Sequence, residues 1–250
     1  MRLLVVASDP MEFKGILKHA TPAKPANLPV DWSRTARLNG NEVLLIANGI
    51  GWSRAASAVD AAQSFAPEAL ISTGFCGALD PTLNIADIIV ATTLVTPCGA
   101  GASACPPALP KNVSADSAKP SGAGVSACQP AMLAPVYSSD RIAQTAPEKL
   151  ALFKQTQAVA VEMEAQGVAQ KAQALRLPFY CIKSVTDLAN ETMVNDFNAA
   201  LRPDGHFDTM LIIRRSLRHP ASRLPELIRL RNRSVRAANA LGEFFANCQF

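Results

Sequence analysis

Short apolar runs alternate with longer segments of helical period along most of the chain. Residues 3–7 and 69–73 are mainly apolar and short enough for buried strands, whereas Trp52 to Phe65 is an alanine-rich stretch typical of a helix. Asn39-Gly40 lies between two strand-like runs, and both residues tolerate the positive φ of a tight hairpin turn. This alternation predicts an α/β fold, a single domain with a central twisted mixed sheet flanked by helices.

The remaining elements follow the same alternation. Further strands are predicted at 85–92, 133–137, 159–161 and 179–184, and further helices around 141–155, at 164–175 and from 208 onward with a break at His219-Pro220. Residues 97–130 have no period and are dense in Pro, Gly, Ala and Ser, which predicts a long mobile loop. One domain therefore spans 1–250, with this loop and an Arg-rich helical tail at 208–247.

Composition places the chain among globular proteins. Of its 250 residues, 49% are hydrophobic and 18% charged, which is enough to build a core. No apolar run approaches the ~18 to 20 residues of a membrane-spanning helix, and the run at 3–7 is too short for a signal-peptide core. We therefore expect a cytoplasmic protein. The six cysteines and three histidines show no zinc-ligand spacing, so we expect free thiols and neither a metal nor another cofactor.

The positive charge is concentrated in the tail. Eight arginines stand between Arg214 and Arg236, against the single acid Glu226. One interpretation is a pair of packed helices with a solvated basic face; another is peripheral contact with the anionic inner face of a membrane. Nucleic-acid binding is disfavoured because no aromatic residues are interleaved with the arginines.

Acidic or glycine-rich elements follow several of the predicted strands. In open α/β sheets, ligands bind beyond the carboxyl ends of strands, and an acid placed there is partly desolvated and suited to proton transfer. One such carboxylate would more often cap a helix, but three of them favour an active site. The elements are Glu12, 49–51, 74–77, 162–164 and 186–187.

A dinucleotide site does not account for the glycines. Gly49-Ile50-Gly51 begins like the Rossmann fingerprint, but the third glycine of that pattern falls on Arg54.

Taken together, these motifs are similar to a known family. Val161-Glu162-Met163-Glu164-Ala165, followed by Ser184-Val185-Thr186-Asp187, resembles the nucleoside phosphorylase and nucleosidase family, which includes 5′-methylthioadenosine/S-adenosylhomocysteine nucleosidases. The stretches at 49–51 and 71–79 and Asp87 resemble the family's earlier motifs, in the same order. The resemblance covers residues 1 to 190. It implies a nucleoside phosphorylase-like fold, a homo-oligomer, and cleavage of the N-glycosidic bond of a purine nucleoside, with a 5′-substituted adenine nucleoside as the expected substrate.

The resemblance also implies roles for single residues. Asp187, supported by Thr186, would be the general acid at purine N7. Glu164 would accept hydrogen bonds from the ribose hydroxyls, with Met163 packed on the sugar, and Glu12 would activate water. The remaining substrate-binding positions are Glu162, Phe75, Ile142 and Gly74. Phe75 and Ile142 depart from the family, whose nucleosidases have a small polar residue at the first position and a base-stacking aromatic at the second.

Two acceptors for the sugar stay open, water and phosphate. Phosphorylases of the family carry an arginine two residues before the Gly74 position, where phosphate needs a charge-assisted partner, and this chain has Ser72 there. That favours water. Phosphate would instead need an arginine such as Arg54, near a helix N-terminus, to hold the anion.

The tail has a narrower resemblance. Leu211 to Leu241 resembles the tail of hopanoid-associated phosphorylases, which implies adenosylhopane as a substrate.

The alternative function is a noncatalytic nucleoside-binding module. The three acids favour an enzyme, because binding a neutral nucleoside does not require a proton donor on the base side.

Overall fold

A computed structural model gives the structure of the protein and describes residues 1–97, 107–113 and 131–250. The strands within these ranges are β1 (Arg2–Ala7), β2 (Lys24–Pro25), β3 (Trp32–Leu38), β4 (Asn41–Ala47), β5 (Ala69–Ala78), β6 (Ile88–Val95), β7 (Ala131–Ser138), β8 (Ala160–Glu162) and β9 (Phe179–Asp187). The helices are α1 (Ile16–His19), α2 (Trp52–Ala61), α3 (Ala146–Thr156), α4 (Ala165–Leu175), α5 (Thr209–Ser216) and α6 (Pro220–Asn247).

The strands form one mixed sheet that partly closes on itself. β1 lies parallel between β4 and β5, and the antiparallel strands β3 and β2 extend the sheet beyond β4. From β5 the pairings run through β8, β7, β6 and β9 and return to β5, so these five strands make a closed ring. The predicted mixed sheet with flanking helices is confirmed. The closure of the ring carries no local sequence signal.

The alternation of side chains along β1 divides the core into two layers. Leu4 and Val6 point into the layer that contains α2 and α4, where Val59 and Val168 are buried. Leu3 and Val5 point into the opposite layer, and α1 and α6 cover that side with apolar residues including Ile16, Leu241, Phe244 and Phe245. Successive strand residues face opposite sides of a sheet, so a strand covered on both faces is apolar throughout.

The predicted hairpin is present. β3 and β4 are antiparallel, and Leu38 pairs with Asn41 across a two-residue turn. Asn39 and Gly40 have φ values of 50° and 76°, as a tight turn with two left-handed residues requires.

Some boundaries differ from the prediction. β6 begins at Ile88 rather than at residue 85, and Asp87 precedes it and accepts a hydrogen bond from the Asn84 backbone N–H. β5 and β9 extend to Ala78 and Asp187, so the glycine-rich segment and the Thr186-Asp187 pair belong to strands. Pairing between the two strands continues over this length, which local sequence does not reveal.

The loop predicted at 97–130 lies mostly outside the described residues. Of that range, 107–113 pack on the domain: the Ala108 N–H donates to the Phe179 carbonyl at 2.6 Å and the Lys111 N–H to the Gln249 carbonyl at 2.8 Å. This part is therefore held to the core.

The tail forms α5 and α6, with the break at His219 as predicted. Within the described ranges, no helix has both the length and the apolar character that a membrane span needs.

Candidate active site

A cavity of about 230 Å³ opens where β1, β5, β8 and β9 end. Predicted site residues line it: Glu12, Phe75, Ile142, Glu162, Met163, Glu164, Thr186 and Asp187. The lining is completed by Ser8, Ile50, Cys76, Gly77, Arg141, Ala143, Val161 and Phe207. Residues from distant parts of the chain are thus brought to one site.

The strands reach the cavity from two directions. β1, β5 and β9 are parallel, so their carboxyl ends meet at one edge, as expected. β8 is antiparallel to β5 and pairs only with its last two residues, through Gly77 with Val161 and Ala78 with Ala160. Because β8 pairs with β5 over only these two residues, the carboxyl ends of the two strands lie close together. Glu162, Met163 and Glu164 therefore line the same cavity.

Glu12 is held by four hydrogen bonds in a short 3₁₀ helix at Pro10–Phe13. Its Oε2 accepts from the Ser8 N–H (2.8 Å), the Ser8 hydroxyl (3.0 Å) and the Asp9 N–H (2.9 Å), and its Oε1 accepts from the Phe75 N–H (2.8 Å). Burial raises the pKa of Glu12, while Lys183 and these donors oppose the rise. Glu12 therefore both caps the 3₁₀ helix and reaches the cavity.

Gly74 supports Glu12 from behind and does not line the cavity. Its φ is +115°, and a Cβ at this position would lie 2.4 Å from Glu12 Oε1. The glycine is needed for this close approach, so the structure does not place it against a substrate, where the sequence analysis put it.

A buried lysine, Lys183 of β9, lies between the two glutamates. Its Nζ is 2.8 Å from Glu162 Oε2 and 3.2 Å from Glu164 Oε2, and it donates to the Thr73 carbonyl at 3.0 Å. The side chain is fully buried. This residue was missed in the sequence, although a lysine directly after the apolar run 179–182 of a predicted strand is a usable signal, because lysine is almost never fully buried unless it is paired.

The two glutamates have different surroundings. Glu162 Oε2 accepts from the backbone N–H groups of Glu164 (2.9 Å) and Ala165 (2.8 Å), so Glu162 caps α4 in addition to pairing with Lys183. In Glu164 the oxygen that accepts from Lys183 is Oε2 alone. Burial raises the pKa of Glu164 to about 7, although Lys183 opposes the rise. Glu164 is thus the glutamate that is available to a ligand.

Asp187 pairs with a second buried lysine that the sequence analysis also missed. Lys149 of α3 forms an ion pair with Asp187 Oδ2 and donates to the Leu188 carbonyl at 2.8 Å. The Thr186 hydroxyl lies 3.3 Å from Asp187 Oδ1. Burial raises the pKa of Asp187, against the lowering effect of Lys149.

Most of the chain matches a known protein family. A family model described as the phosphorylase superfamily matches residues 2–206. The chain belongs to the phosphorylase superfamily. The resemblance drawn from the motifs is thereby confirmed.

Among curated relatives of this superfamily member are two 5′-methylthioadenosine/S-adenosylhomocysteine nucleosidases. The one from Staphylococcus epidermidis is 32% identical over 165 residues, which cover 62% of this chain and 72% of the relative. The one from Maridesulfovibrio salexigens is 30% identical over 204 residues, covering 76% and 87%.

Solved structures share the superfamily fold. The Streptococcus pneumoniae MTA/SAH nucleosidase in complex with 8-aminoadenine superposes with a TM-score of 0.69 at 22% identity, covering 98% of this chain and 99% of the other. The native structure of the futalosine hydrolase of Helicobacter pylori strain 26695 gives a TM-score of 0.63 at 16% identity and covers 98% of this chain and 97% of the other.

The two positions that depart from the family's pattern both line the cavity of this superfamily member. Ile142 is fixed by Asn198, which accepts from the Ile142 N–H at 2.9 Å and donates to its carbonyl at 2.8 Å. Phe207, which the sequence analysis missed, packs edge-on against Phe197 with ring centroids 5.7 Å apart. Ile142, Phe207 and Phe75 are partly exposed and give this side of the cavity an apolar character.

The residues considered for phosphate binding do not line the cavity. Arg54 donates to the Asn48 carbonyl at 2.5 Å and pairs with Asp31, so Arg54 is not available as the anion partner considered above. Ser72 is fully buried in β5. Arg141 does line the cavity, but it is largely exposed and paired with Glu148. Among the described residues, no group of His, Cys, Asp and Glu side chains is arranged to hold a metal ion.

Proposed function

We propose that this protein hydrolyses the N-glycosidic bond of a 5′-substituted adenine nucleoside and releases adenine. The observation that carries the proposal is a single cavity that holds Asp187 together with Glu12 and Glu164. The curated relatives, which are 5′-methylthioadenosine/S-adenosylhomocysteine nucleosidases, support the same substrate class.

In the proposed mechanism the cavity has a base side, where Asp187 acts on the purine, and a ribose side, where the glutamates act on the sugar and the attacking water. Glycosidic cleavage passes through an oxocarbenium-like ribose. Asp187 gives a proton to purine N7 as the electron pair of the C–N bond moves to the base. Glu164 accepts hydrogen bonds from the ribose hydroxyls, and Glu12 takes a proton from the water that attacks the anomeric carbon. Met163 packs against the sugar.

The charges around the cavity favour water over phosphate as the acceptor. Both buried lysines are already engaged, Lys183 by two glutamates and Lys149 by Asp187. A phosphate anion would meet Glu12 and Glu164 with no unpaired cation among the lining residues that the structure describes. A neutral water molecule has no such cost.

The decisive experiment is incubation with 5′-methylthioadenosine or S-adenosylhomocysteine, with the sugar product identified by mass spectrometry in the presence and absence of phosphate. We expect adenine and a free sugar in both cases. A sugar 1-phosphate that forms only with phosphate would make the enzyme a phosphorylase. Tight nucleoside binding without release of adenine would support the noncatalytic binding module instead.

We further propose that the 5′-substituent is apolar and that adenosylhopane is a substrate. Phe207 lines the cavity, and α5 begins two residues later. The side chains of Met210 and Ile213 in α5, and of Leu217 directly after it, are exposed, with Met210 at 74%. An apolar group leaving the cavity past Phe207 would therefore meet an apolar surface rather than water alone.

The same surface supports peripheral contact with the anionic inner face of a membrane, from the cytoplasmic side. Glu226, the acidic residue between Arg214 and Arg236, is 3% exposed. Its carboxylate accepts hydrogen bonds from the N–H groups of Val194 and Asn195, so it does not neutralise most of the neighbouring arginines. Arg233 is engaged by Glu191. Basic residues near an anionic surface contribute about 1 kcal/mol each, which is enough for reversible docking.

Vesicle sedimentation tests the membrane proposal. We expect binding to anionic vesicles and little binding to neutral ones, and a Met210→Ser/Leu217→Ser double variant should bind less. Leu150→Ser is the matched control, since Leu150 is 49% exposed on α3. Equal partitioning to both kinds of vesicle, or to neither, would contradict the proposal.

We also propose a homo-oligomer, on the family resemblance alone. Sedimentation equilibrium of the purified protein tests it, and a monomer at micromolar concentration would contradict it.

A further inference from the structure

Helix α3 buries Lys149 and exposes Leu150. Lys149 is fully buried and is the buried residue of the helix, while the adjacent Leu150 is 49% exposed. Burying an ammonium group is strongly unfavourable unless it is paired. This inversion of the usual pattern indicates that Lys149 has a specific partner rather than a packing role.

That partner is Asp187, which Lys149 contacts from the side away from the cavity. Lys149 pairs with Oδ2 of Asp187 and also donates to the Leu188 carbonyl, which fixes its position. Asp187 lines the cavity and Lys149 does not. Any effect of the lysine on a bound nucleoside must therefore pass through Asp187, whose Oδ1 lies beside the Thr186 hydroxyl.

We propose that Lys149 is a positioning residue for proton transfer, which holds Asp187 by Oδ2 and stabilises the carboxylate that remains after Asp187 has given its proton to the base. The inference rests on the proposed function. In the step, one proton moves from Asp187 to a purine nitrogen and the C–N electron pair moves to the base. Lys149 transfers no proton in this step and acts on Asp187 through its charge.

The other charged and titratable groups near Asp187 do not replace this interaction. They are Glu191 after β9, Arg233 on α6 and Cys76 on β5. Arg233 and Glu191 form a two-point ion pair with distances of 2.6 and 2.8 Å, so their effects on Asp187 largely cancel. Burial raises the pKa of the Cys76 thiol well above its usual value, which keeps it neutral. Lys149 is thus the main cation acting on Asp187.

The test compares Lys149→Met with Lys149→Arg, using 5′-methylthioadenosine as the probe. The methionine variant should lower kcat by about 10-fold or more with little change in KM, since it loses part of what a general acid contributes. Asp187 must be protonated to act, and removing a neighbouring cation raises its pKa. The alkaline limb of the kcat profile should therefore move to higher pH. The arginine variant keeps the positive charge, so its kcat and the position of its alkaline limb should both be close to those of the wild type.

A purely structural role predicts a different result, in which Lys149→Met is less stable but the alkaline limb does not move. Lys154→Met, an exposed position on the same helix, is the control for the helix itself. If Lys149→Met does not fold, Lys149→Gln removes the charge and can still donate to the Leu188 carbonyl.

A double variant separates the inference from the proposed function. If Lys149 acts through Asp187, then Lys149→Met in an Asp187→Asn background should lower kcat little further. An additional fall as large as in the wild-type background would overturn the inference. Wild-type protein that releases no adenine would overturn the proposed function and the inference with it, whereas active wild type and an unshifted Lys149→Met profile would overturn the inference alone.

Discussion

The two buried lysines that pair with acids of the cavity face different numbers of acids. On one side Lys149 pairs with Asp187 alone. On the other, Lys183 pairs with Glu162 and Glu164, and Glu12 is close enough to interact with it electrostatically. The first side is balanced in charge when both groups are ionised, while the second has an excess of negative charge.

This difference matches the charges that develop when a glycosidic bond breaks. The ribose becomes positive and the departing base becomes negative. Excess carboxylate beside the ribose stabilises the first charge, and a proton donor backed by a cation offsets the second. Charges that are fixed in place before the reaction stabilise a transition state without the cost of reorganisation.

The imbalance also keeps Lys183 charged. Burial disfavours its ammonium form, but Glu162 and Glu164 raise the pKa of Lys183 well above its ordinary value. One ammonium cannot satisfy all the glutamates equally, and burial leaves Glu164 with a pKa of about 7. The ribose side therefore holds the acid that titrates near neutral pH.

The largest expected effect is on the base side. Asp187→Asn keeps the size of the side chain but cannot supply the proton, so we expect kcat to fall at least ~10²-fold with nucleoside binding largely kept. Turnover and calorimetric binding should be measured on the same preparation. Asp60→Asn is the control, since Asp60 makes an exposed pair with Lys171. Turnover near the wild-type rate in Asp187→Asn would remove Asp187 from the mechanism.

The second effect is on stability and concerns the ribose side. Lys183→Met leaves two buried glutamates without their cation, and breaking such a pair costs about 3 to 5 kcal/mol. Without the cation the pKa of Glu164 rises further, because Lys183 is the group that lowers it, so the variant should recover relative to wild type as the pH falls from 8 to 5 and Glu164 becomes protonated. Lys149→Met leaves only one acid and should lose less stability. Chemical denaturation at both pH values measures this, and equal losses in the two variants would refute the charge imbalance.

The sequence was sufficient for most of the fold, because short apolar strands, an Asn-Gly turn and alanine-rich helices are local features. It was also sufficient to propose the acids that line the cavity, because Glu12, Glu164 and Asp187 each follow a predicted strand. The ring closure between β5 and β9 was not predictable, since it depends on pairing between distant strands.

The two lysines show the limit of sequence reasoning more clearly. Lys183 lies in an apolar strand, which is a signal that was overlooked. Lys149 lies in a helix beside other polar residues, where a lysine is ordinarily exposed. Only the packing of α3 against the end of β9 reveals that it points inward, toward Asp187.

The third prediction concerns pH. Glu164 accepts hydrogen bonds from the ribose most strongly when it is ionised, and its pKa is about 7. We therefore expect kcat/KM to rise by up to about tenfold per pH unit below that value and to level off above it. Glu164→Gln should lower the plateau and remove this rise, while Glu243→Gln, at an exposed position, should change neither. A rise that is unchanged in Glu164→Gln would assign it to another group.

The smallest expected effect tests how closely Glu12 is positioned. Gly74 and Gly51 have similar φ values, +115° and +107°, so alanine at either position costs about 1 to 2 kcal/mol of backbone strain. Their surroundings differ: a Cβ at Gly74 lies 2.4 Å from Glu12 Oε1, whereas a Cβ at Gly51 meets nothing within 4 Å. Gly74→Ala should therefore displace the Glu12 carboxylate and lower kcat by about tenfold, while Gly51→Ala loses similar stability and keeps its kcat. Thermal unfolding and turnover of both variants measure the two effects separately. Equal kcat values in the two variants would show that the ribose side tolerates movement of Glu12, and that its excess charge matters more than the exact place of this carboxylate.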